Sequence, residues 1–336
     1  MDNSFDFNRL HEKYIRLERA TDRPPIYLWH YTSANGLMGI VRNNPLDHGK
    51  LHFWFTRSDF LNDTSEGTHI LDIFEKVLEK LFVNGKLDQP FYNLLQNTTI
   101  SNSQYISYPT PSEEENCSSS MLDVADCDMY ICSFSQKEDS LDMWRYYSKN
   151  NGGYGLKCAY FIFDKHKNYE HSEFKKDALF SMIESYKVIY DDTEKETILE
   201  EIILDTFSAY KNSKECQEDT FELTKQFISY ILKIYQFQFK HKCYSSEQEY
   251  RFVFYQPRSK PQLLENNLYE IKYRQQNGEI VPYLDVEIDR NYAHLSEVLI
   301  SPYVKNGGAV DATKDYLTIC GFHNCDVRKS DLPVRE

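Results

Sequence analysis

The sequence has little glycine and no long apolar run. Glycine accounts for 12 of the 336 residues and aromatic residues for 15%, so the chain is expected to pack tightly with few flexible linkers. No apolar stretch approaches the ~20 residues that a helix needs to cross a bilayer. The first residues, MDNSFDFNRL, are polar and charged, unlike a secretory signal. Together these absences predict a cytoplasmic protein that does not enter a membrane.

Positive charge is also scarce. The 38 Lys and Arg residues face 52 Asp and Glu residues, which gives a formal net charge of −14. An acidic surface repels phosphate backbones, so duplex nucleic acid is not expected as the main partner. The same charge favours solubility and disfavours binding to anionic membranes.

The eight cysteines are scattered and form no disulfide framework, which predicts reduced thiols in a cytosol. One short segment, CGFHNC, places Cys320 and Cys325 on either side of His323. A structural zinc site needs four ligands at tight spacings, and the chain offers no second close cysteine pair. No metal site is predicted from the sequence.

Hydrophobic periodicity divides the chain into strands and helices. Apolar residues recur at helical spacing from Thr68 to Phe82, and the pattern of 193–241 predicts helix throughout. Strand-forming runs are expected near 26–31, 51–56, 128–135, 154–161, 187–190, 249–255, 268–273, 280–288 and 297–301. Strands outnumber any regular βαβ alternation, so a mainly antiparallel α+β fold is favoured over a doubly wound parallel sheet.

The pattern predicts one main domain. Residues 1–24 are a polar N-terminal lead, and 25–336 form a single domain with helical insertions near 68–128 and 165–241. Within the first insertion, the Ser-, Thr- and Asn-rich residues 94–120 predict a long surface loop or a partly disordered insertion.

Several common enzyme signatures are missing. The chain has no nucleophile elbow, phosphate-binding P-loop, dinucleotide-binding glycine fingerprint or protein-kinase motif set. The candidate functional residues therefore come from polar clusters at the ends of predicted strands.

Two of these clusters lie in the first sixty residues. His30, Tyr31 and Thr32 end an apolar strand and open a predicted helix, with Thr32 or Ser33 as its N-cap. The second cluster, Trp54-Phe55-Thr56, offers aromatic rings for a flat heterocycle and a hydroxyl for its sugar. Both patterns are also compatible with ordinary buried strands, the second leading into a helix capped by Asp63 or Thr64.

The third cluster lies near the end of the chain and consists of Glu247, Glu249 and Arg251. Residues at i and i+2 of an extended chain point to the same face, so both carboxylates are expected on one side. Paired carboxylates suit chemistry that develops positive charge on a sugar, because one of them can stabilise an oxocarbenium-like transition state. A charged rim on an exposed strand is the alternative interpretation.

Five segments together resemble a known family. In chain order they are WHYTSANGLMGIV, FLNDTSEG, ICSFSQKEDSLDMWRYYSKNNGGYGLK, SSEQEYRFVFY and VLISPYV, spanning roughly 26–331. They resemble the bacterial family catalogued as domain of unknown function 2971. That family is itself similar to the ADP-ribosyltransferase superfamily, in the branch with a His, an aromatic or Thr/Ser strand, and a Glu.

The resemblance implies a split β-sandwich of ADP-ribosyltransferase type with a cleft for NAD. By position, His30 would bond to the adenosine-side ribose, with Tyr31 and Thr32 beside it. The Trp54–Thr56 strand would pack on nicotinamide and its ribose, and whether Trp54 or Phe55 stacks stays open. In the Glu-x-Glu motif, Glu249 would stabilise the ribosyl cation and Glu247 would activate the acceptor, with Arg251 also lining the cleft.

The activity implied by the resemblance is cleavage of the nicotinamide–ribose bond of NAD. ADP-ribose would pass to a protein, a nucleic acid or a small molecule, and the superfamily context suits a toxin or an antiphage effector. Two alternatives stay open: an NAD glycohydrolase, in which water is the acceptor, and a non-catalytic module that binds a nucleotide or a protein. Whether the chain forms a homo-oligomer also stays open.

Overall fold

Ten β-strands form one open sheet that positions the rest of the molecule. The computed structural model describes residues 26–61, 69–96, 127–148, 152–159, 183–213, 217–257, 270–276, 278–291 and 293–334, together with 10, 13–14, 98 and 100. The strands are β1 (Tyr27–Thr32), β2 (Leu51–Arg57), β3 (Cys127–Ser135), β4 (Tyr154–Ala159), β5 (Ile183–Lys187), β6 (Glu249–Pro257), β7 (Ile271–Gln276), β8 (Glu279–Ile288), β9 (Leu295–Ile300) and β10 (Asp326–Lys329).

The sheet is mostly antiparallel, as the pattern of the sequence predicts. Its main path runs β10-β9-β4-β1-β3-β2-β8-β7, and β6 pairs with both β3 and β5. The β9–β10 pair is parallel, whereas the other pairs of named strands in the described residues are antiparallel. The α+β fold class is therefore confirmed at this level.

Seven α-helices accompany the sheet in the described residues. They are α1 (Ala34–Ile40), α2 (His69–Val83), α3 (Gln89–Leu95), α4 (Leu141–Ser148), α5 (Asp192–Asn212), α6 (Gln217–Tyr235) and α7 (Ala309–Ile319). Ser33 caps α1 by accepting a hydrogen bond from the amide of Gly36 at 3.1 Å. In the described residues, no helix is both long enough and apolar enough to span a bilayer.

The helices of the two insertions share a hydrophobic core of their own. α2, α3, α5 and α6 contribute apolar side chains to one cluster that includes Phe74, Phe91, Ile203 and Phe227. The sheet has a separate core, in which Leu51, Phe53 and Phe55 of β2 alternate with side chains that point to the opposite face. Burying one stripe of each helix and one face of each strand explains this division.

Two predicted elements end in different places from those expected. The helix predicted up to residue 241 ends at Tyr235, and 236–238 form a turn in which the amides of Gln238 and Phe239 both donate to the carbonyl oxygen of Tyr235. The strand predicted at 187–190 is Ile183–Lys187, and Ile189 makes only an isolated bridge to Phe239. Both differences matter, because the turn after Tyr235 and the bridge at Phe239 bring Lys240 into the candidate site.

Other expectations lie outside the described residues. These are the Asp63 or Thr64 cap and nearly all of the 94–120 loop.

Candidate functional site

A cleft forms where β1 and β2 separate from β3. β6 pairs with β3 from Cys127 to Ser135, along the whole strand. On the opposite edge of β3, β1 pairs only through Trp29, which lies opposite Ser135. β2 pairs with the same edge of β3 only through its residues Thr56 and Arg57. The gap between these contacts opens into a cleft of about 530 Å³, a volume typical of small-molecule sites. Of the predicted site residues, His30, Tyr31, Thr32, Trp54, Thr56, Glu247, Glu249 and Arg251 line it.

His30 reaches the cleft through this gap. Its ring lies between Phe53 and Phe134, with centroids 5.5 and 5.1 Å away. Nδ1 is 3.0 Å from the carbonyl oxygen of Ser133, which can only accept, so Nδ1 carries the proton and Nε2 is the acceptor. Burial lowers the pKa of His30 to about 4; the Ser133 hydrogen bond opposes this shift and the positive charge of Arg274 adds to it. A neutral imidazole with a free acceptor suits a sugar hydroxyl.

The register of the strands shows how His30 and Glu249 come to share the cleft. Trp29 pairs with Ser135, and Ser135 pairs with Glu249, so these three side chains lie on one face of the sheet. His30 is adjacent to Trp29 and points to the other face. Only the divergence of β1 from β3 lets both His30 and Glu249 line one cavity.

Tyr31 and Thr32 have different surroundings. The Tyr31 hydroxyl donates to the backbone oxygen of Lys137 at 2.8 Å, and its ring packs edge-on against Trp144. Thr32 is half-buried beside the first turn of α1, where a Cβ at Gly36 would lie 1.9 Å from its Oγ1. Glycine at position 36 therefore leaves room for the Thr32 hydroxyl.

Successive side chains of β2 point to opposite faces of the sheet, which separates the three residues of the second cluster. Phe55 is fully buried in the core of the sheet and does not line the cleft. Trp54 and Thr56, one residue to each side, point to the opposite face and line the cleft. Trp54 is therefore the ring that a ligand would meet.

Glu247 and Glu249 belong to a buried ion network. The ammonium of Lys240 lies 2.8 Å from Oε2 of Glu247 and 2.9 Å from Oε2 of Glu249. Arg251 donates through Nε and Nη2 to the two oxygens of Glu249, at 2.7 and 2.9 Å. The exposed fraction of each of these four side chains is 7% or less, so the third motif is not a solvent-exposed charged rim.

The two carboxylates differ in their acidity. Burial acts to raise the pKa of Glu249, but Arg251 and Lys240 outweigh it and bring this pKa down to about 2. The pKa of Glu247 is raised by burial and by the charge of Glu249, against the effect of Lys240. Glu249 is therefore ionised at neutral pH, and Glu247 takes up a proton more readily.

The glutamates approach each other in a different way from that expected. They do not lie on one extended chain, because Glu247 ends the 3₁₀ segment Lys242–Glu247 and Glu249 begins β6. Gln248, between them, has a left-handed backbone with φ 41°. Shared bonding to Lys240 brings the carboxylates together.

Two serines of β3 support this arrangement. The hydroxyl of Ser135 donates to the backbone oxygen of Glu247, and the side chain of Ser133 helps to lower the pKa of Glu249. Taken alone, the sequence Ser-Phe-Ser suggests an ordinary core strand. In the structure, however, the two serines alternate with Phe134 and face the glutamates.

Arg274 on β7 is a cleft residue that the sequence did not reveal. Its guanidinium lies 5.2 Å from the ring centroids of both Trp54 and Tyr283. Nη2 donates to Thr56 at 2.8 Å and Nε to the side-chain oxygen of Gln276 at 3.3 Å, whereas Nη1 is buried without a partner. Among the described residues, Arg274 has no carboxylate in salt-bridge range.

Lys240 was also missed, because the sequence pattern placed it inside a helix. The helix instead ends at Tyr235 in a turn over 236–238, and no residue of Gln236-Phe237-Gln238 is a recognised helix-ending type. Arg274 offers no signal either, since an isolated arginine on a hairpin is usually solvent-exposed.

Comparison with known proteins gives a family match over residues 143–252, about a third of the chain. The matching family is described as a protein of unknown function, DUF2971. The matched segment includes Lys240, both glutamates and Arg251, but neither His30, Trp54 nor Arg274. No curated protein and no solved structure matches the chain.

Proposed function

We propose that the cleft binds NAD and cleaves its nicotinamide–ribose bond, passing ADP-ribose to an acceptor. One observation carries this proposal. A single cleft holds two buried carboxylates at one end and, at the other, an arginine that has no carboxylate partner among the described residues. A dinucleotide offers groups to match both ends: a ribose that becomes positively charged during cleavage, and a diphosphate.

The glutamate end fits the reacting ribose. When the bond between ribose C1′ and the nicotinamide nitrogen breaks, its electron pair leaves with neutral nicotinamide and the ribose carries positive charge. Glu249, ionised because its pKa is about 2, stabilises that charge. The acceptor then forms the new bond to C1′ and gives its proton to Glu247, whose raised pKa suits a base.

The other cleft residues fit the rest of the dinucleotide. The acceptor nitrogen of His30, with Thr32 beside it, takes the hydroxyls of the adenosine-side ribose. Trp54 and Thr56 pack on nicotinamide and its ribose. Arg274, stacked on Trp54, is adjacent to both groups and pairs with the diphosphate that joins them.

The hydrogen bonds that Glu249 already accepts favour a second candidate function. Two come from Arg251 and one from Lys240, and they use most of the lone-pair positions of this carboxylate. It therefore acts on a ligand through its charge rather than by direct contact, and two cations partly offset that charge. A module that binds a nucleotide without cleaving it is the alternative that this observation supports.

Nicotinamide release decides between the two functions. Purified protein is incubated with NAD, with and without cell extract, and free nicotinamide is measured for the native chain, Glu249→Gln and a control, Glu279→Gln, at an exposed position of β8. The proposal predicts release by the native chain and the control, and a rate about 10²–10³ lower for Glu249→Gln. Binding of ADP-ribose with no release of nicotinamide would support the binding module, and failure to bind NAD or ADP-ribose would contradict both functions.

The fate of ADP-ribose separates a transferase from a glycohydrolase. A transferase leaves less free ADP-ribose than nicotinamide when an acceptor is present, whereas a glycohydrolase releases equal amounts. If Glu247 activates the acceptor, Glu247→Gln lowers transfer and leaves hydrolysis largely intact. Equal loss of both reactions in Glu247→Gln would assign Glu247 to the cleavage step instead.

A further inference from the structure

A second cluster of polar side chains lies at the start of β2, away from the cleft. His52 of β2 and Glu287 of β8 are direct cross-strand partners, so their side chains share one face of the sheet. Asp47, at the end of the 3₁₀ segment Pro45–Asp47, approaches the same face. One potential ligand atom from each residue lies within 4.8 Å of the other two. Trp54, the nearest cleft residue on β2, is two residues further along the same face of the strand, or about 7 Å away.

The imidazole of His52 is buried and one of its nitrogens lacks a partner. The exposed fraction of its side chain is 5%, and Nε2 makes no hydrogen bond. The nearest carboxylate oxygen, Oδ1 of Asp47, is 3.3 Å from Nε2 but is not in hydrogen-bonding geometry. A buried nitrogen without a partner destabilises a fold by about 1–3 kcal/mol, so a group that occupies this position is expected.

The other nitrogen of His52 faces a carboxylate. Oδ1 of Asp285 lies 3.5 Å from Nδ1, and Asp285 is held by Arg42 at 2.7 Å and by Lys272 at 2.9 Å. A proton on Nδ1, on the side of Asp285, leaves the lone pair on Nε2, which is the usual arrangement around a histidine that binds a metal. Nε2 thus points towards Asp47 and Glu287 with its lone pair available.

We propose that Asp47, His52 and Glu287 bind a divalent transition-metal ion. The 3.3 Å between Nε2 and Oδ1 equals, to about 0.1 Å, the edge of a tetrahedron with metal–ligand bonds of roughly 2.0–2.1 Å. Three protein ligands leave the fourth position for water. The imidazole favours Zn²⁺ over Mg²⁺ and Ca²⁺, which prefer oxygen ligands alone. A bound ion would tie the 45–47 segment to the β2–β8 pair, and this role does not depend on the function of the cleft.

Lys50 competes with the metal. Its ammonium lies 2.8 Å from Oε1 of Glu287, and its side chain is 24% exposed. Metal binding therefore requires this side chain to turn towards solvent. Lys50→Gln removes the competing charge and should strengthen Zn²⁺ binding.

The test is a Zn²⁺ titration of the full chain after treatment with a chelator, followed by calorimetry and by the thermal midpoint. The native chain should bind one equivalent and melt at a higher temperature with Zn²⁺ present. Asp47→Asn and Glu287→Gln each replace a proposed ligand and should weaken Zn²⁺ binding at least about 10-fold. Even substitutions of residues that only orient a metal ligand typically weaken metal binding by about 10-fold or more. Glu287 is 44% exposed, so Glu287→Gln is expected to fold. His48→Gln, at an exposed neighbouring histidine, is the matched control and should bind Zn²⁺ normally.

Three results would overturn the assignment. The first is that the native chain does not bind Zn²⁺. The second is that Asp47→Asn and Glu287→Gln bind Zn²⁺ with the same affinity as the native chain. The third is that His48→Gln loses Zn²⁺ binding.

Discussion

The two ends of the cleft differ in how their charges are balanced. At one end, Glu247 and Glu249 are matched by Lys240 and Arg251, all four buried and bonded to one another. At the other end, Arg274 lies beside the rings of Trp54 and Tyr283 and has only neutral hydrogen-bond partners among the described residues. The first end is complete without a ligand, whereas the second lacks an anion.

This difference separates a structural requirement from a ligand requirement. Charges that balance each other inside the fold stabilise it, and removal of one leaves its partner buried without compensation. A half-buried arginine without a carboxylate contributes little to folding and is available for a ligand. The same type of substitution should therefore have different effects at the two ends.

The largest expected effect is on the free energy of unfolding. Arg251→Met leaves Glu249 buried beside Lys240 alone, and should lower that free energy by about 3–5 kcal/mol. Arg274→Met leaves no carboxylate of the described residues without its partner, so we expect the free energy of unfolding to change by no more than about 1 kcal/mol. Urea unfolding of both variants measures the contrast. Similar losses at the two positions would show that Arg274 is also part of the folding core.

The next effect is a pH dependence that comes from His30. Its pKa in the folded chain is about 4, against an ordinary value of 6.5, so the unfolded chain binds a proton first as the pH falls. The stability that His30 contributes is present above pH 6.5 and is lost as the pH falls towards 4, by at most about 1.4 kcal/mol per pH unit. His30→Gln should flatten this slope between pH 6.5 and 5, measured as urea midpoints. His48→Gln is the control, and an unchanged slope in His30→Gln would place the effect elsewhere.

The smallest expected effect concerns the residue between the two glutamates. Gln248 has φ 41° and ψ 54°, a conformation that disfavours residues with a Cβ. Gln248→Gly should leave the free energy of unfolding unchanged or raise it by up to about 1 kcal/mol, whereas Gln248→Val should lower it. If Gln248→Gly is clearly destabilised, the side chain of Gln248 contributes more than its backbone conformation costs.

Much of the fold follows from the pattern of apolar residues, because each element buries one face. The periodicity from Thr68 to Phe82 predicts α2 to within a residue at each end. The alternation in 51–56 likewise predicts β2 and explains why Trp54 and Phe55 point to opposite sides. The turn after Tyr235 is not predicted, because the phenylalanines that follow also fit a continued helix.

The candidate site follows from the sequence only in part. Polar residues at strand ends predicted His30, Thr56 and Glu249, which all line the cleft. The partners of the glutamates depend on contacts between distant segments, as with Lys240 and Ser133, and no local pattern specifies those contacts. Arg274 lies on a hairpin far from both motifs in sequence, so only the sheet order brings it to Trp54.

The most direct test of the account separates binding from turnover at the two ends of the cleft. For Arg274→Gln and Glu249→Gln, the dissociation constant of ADP-ribose is measured by calorimetry, and nicotinamide release is measured at saturating NAD. We expect Arg274→Gln to bind ADP-ribose about 10–100-fold more weakly, with release at saturation nearly unchanged. Glu249→Gln should bind ADP-ribose almost normally and release nicotinamide about 10²–10³ more slowly. The opposite split, or equal losses of both properties in both variants, would contradict the assignment of one end to the anion and the other to the reacting ribose.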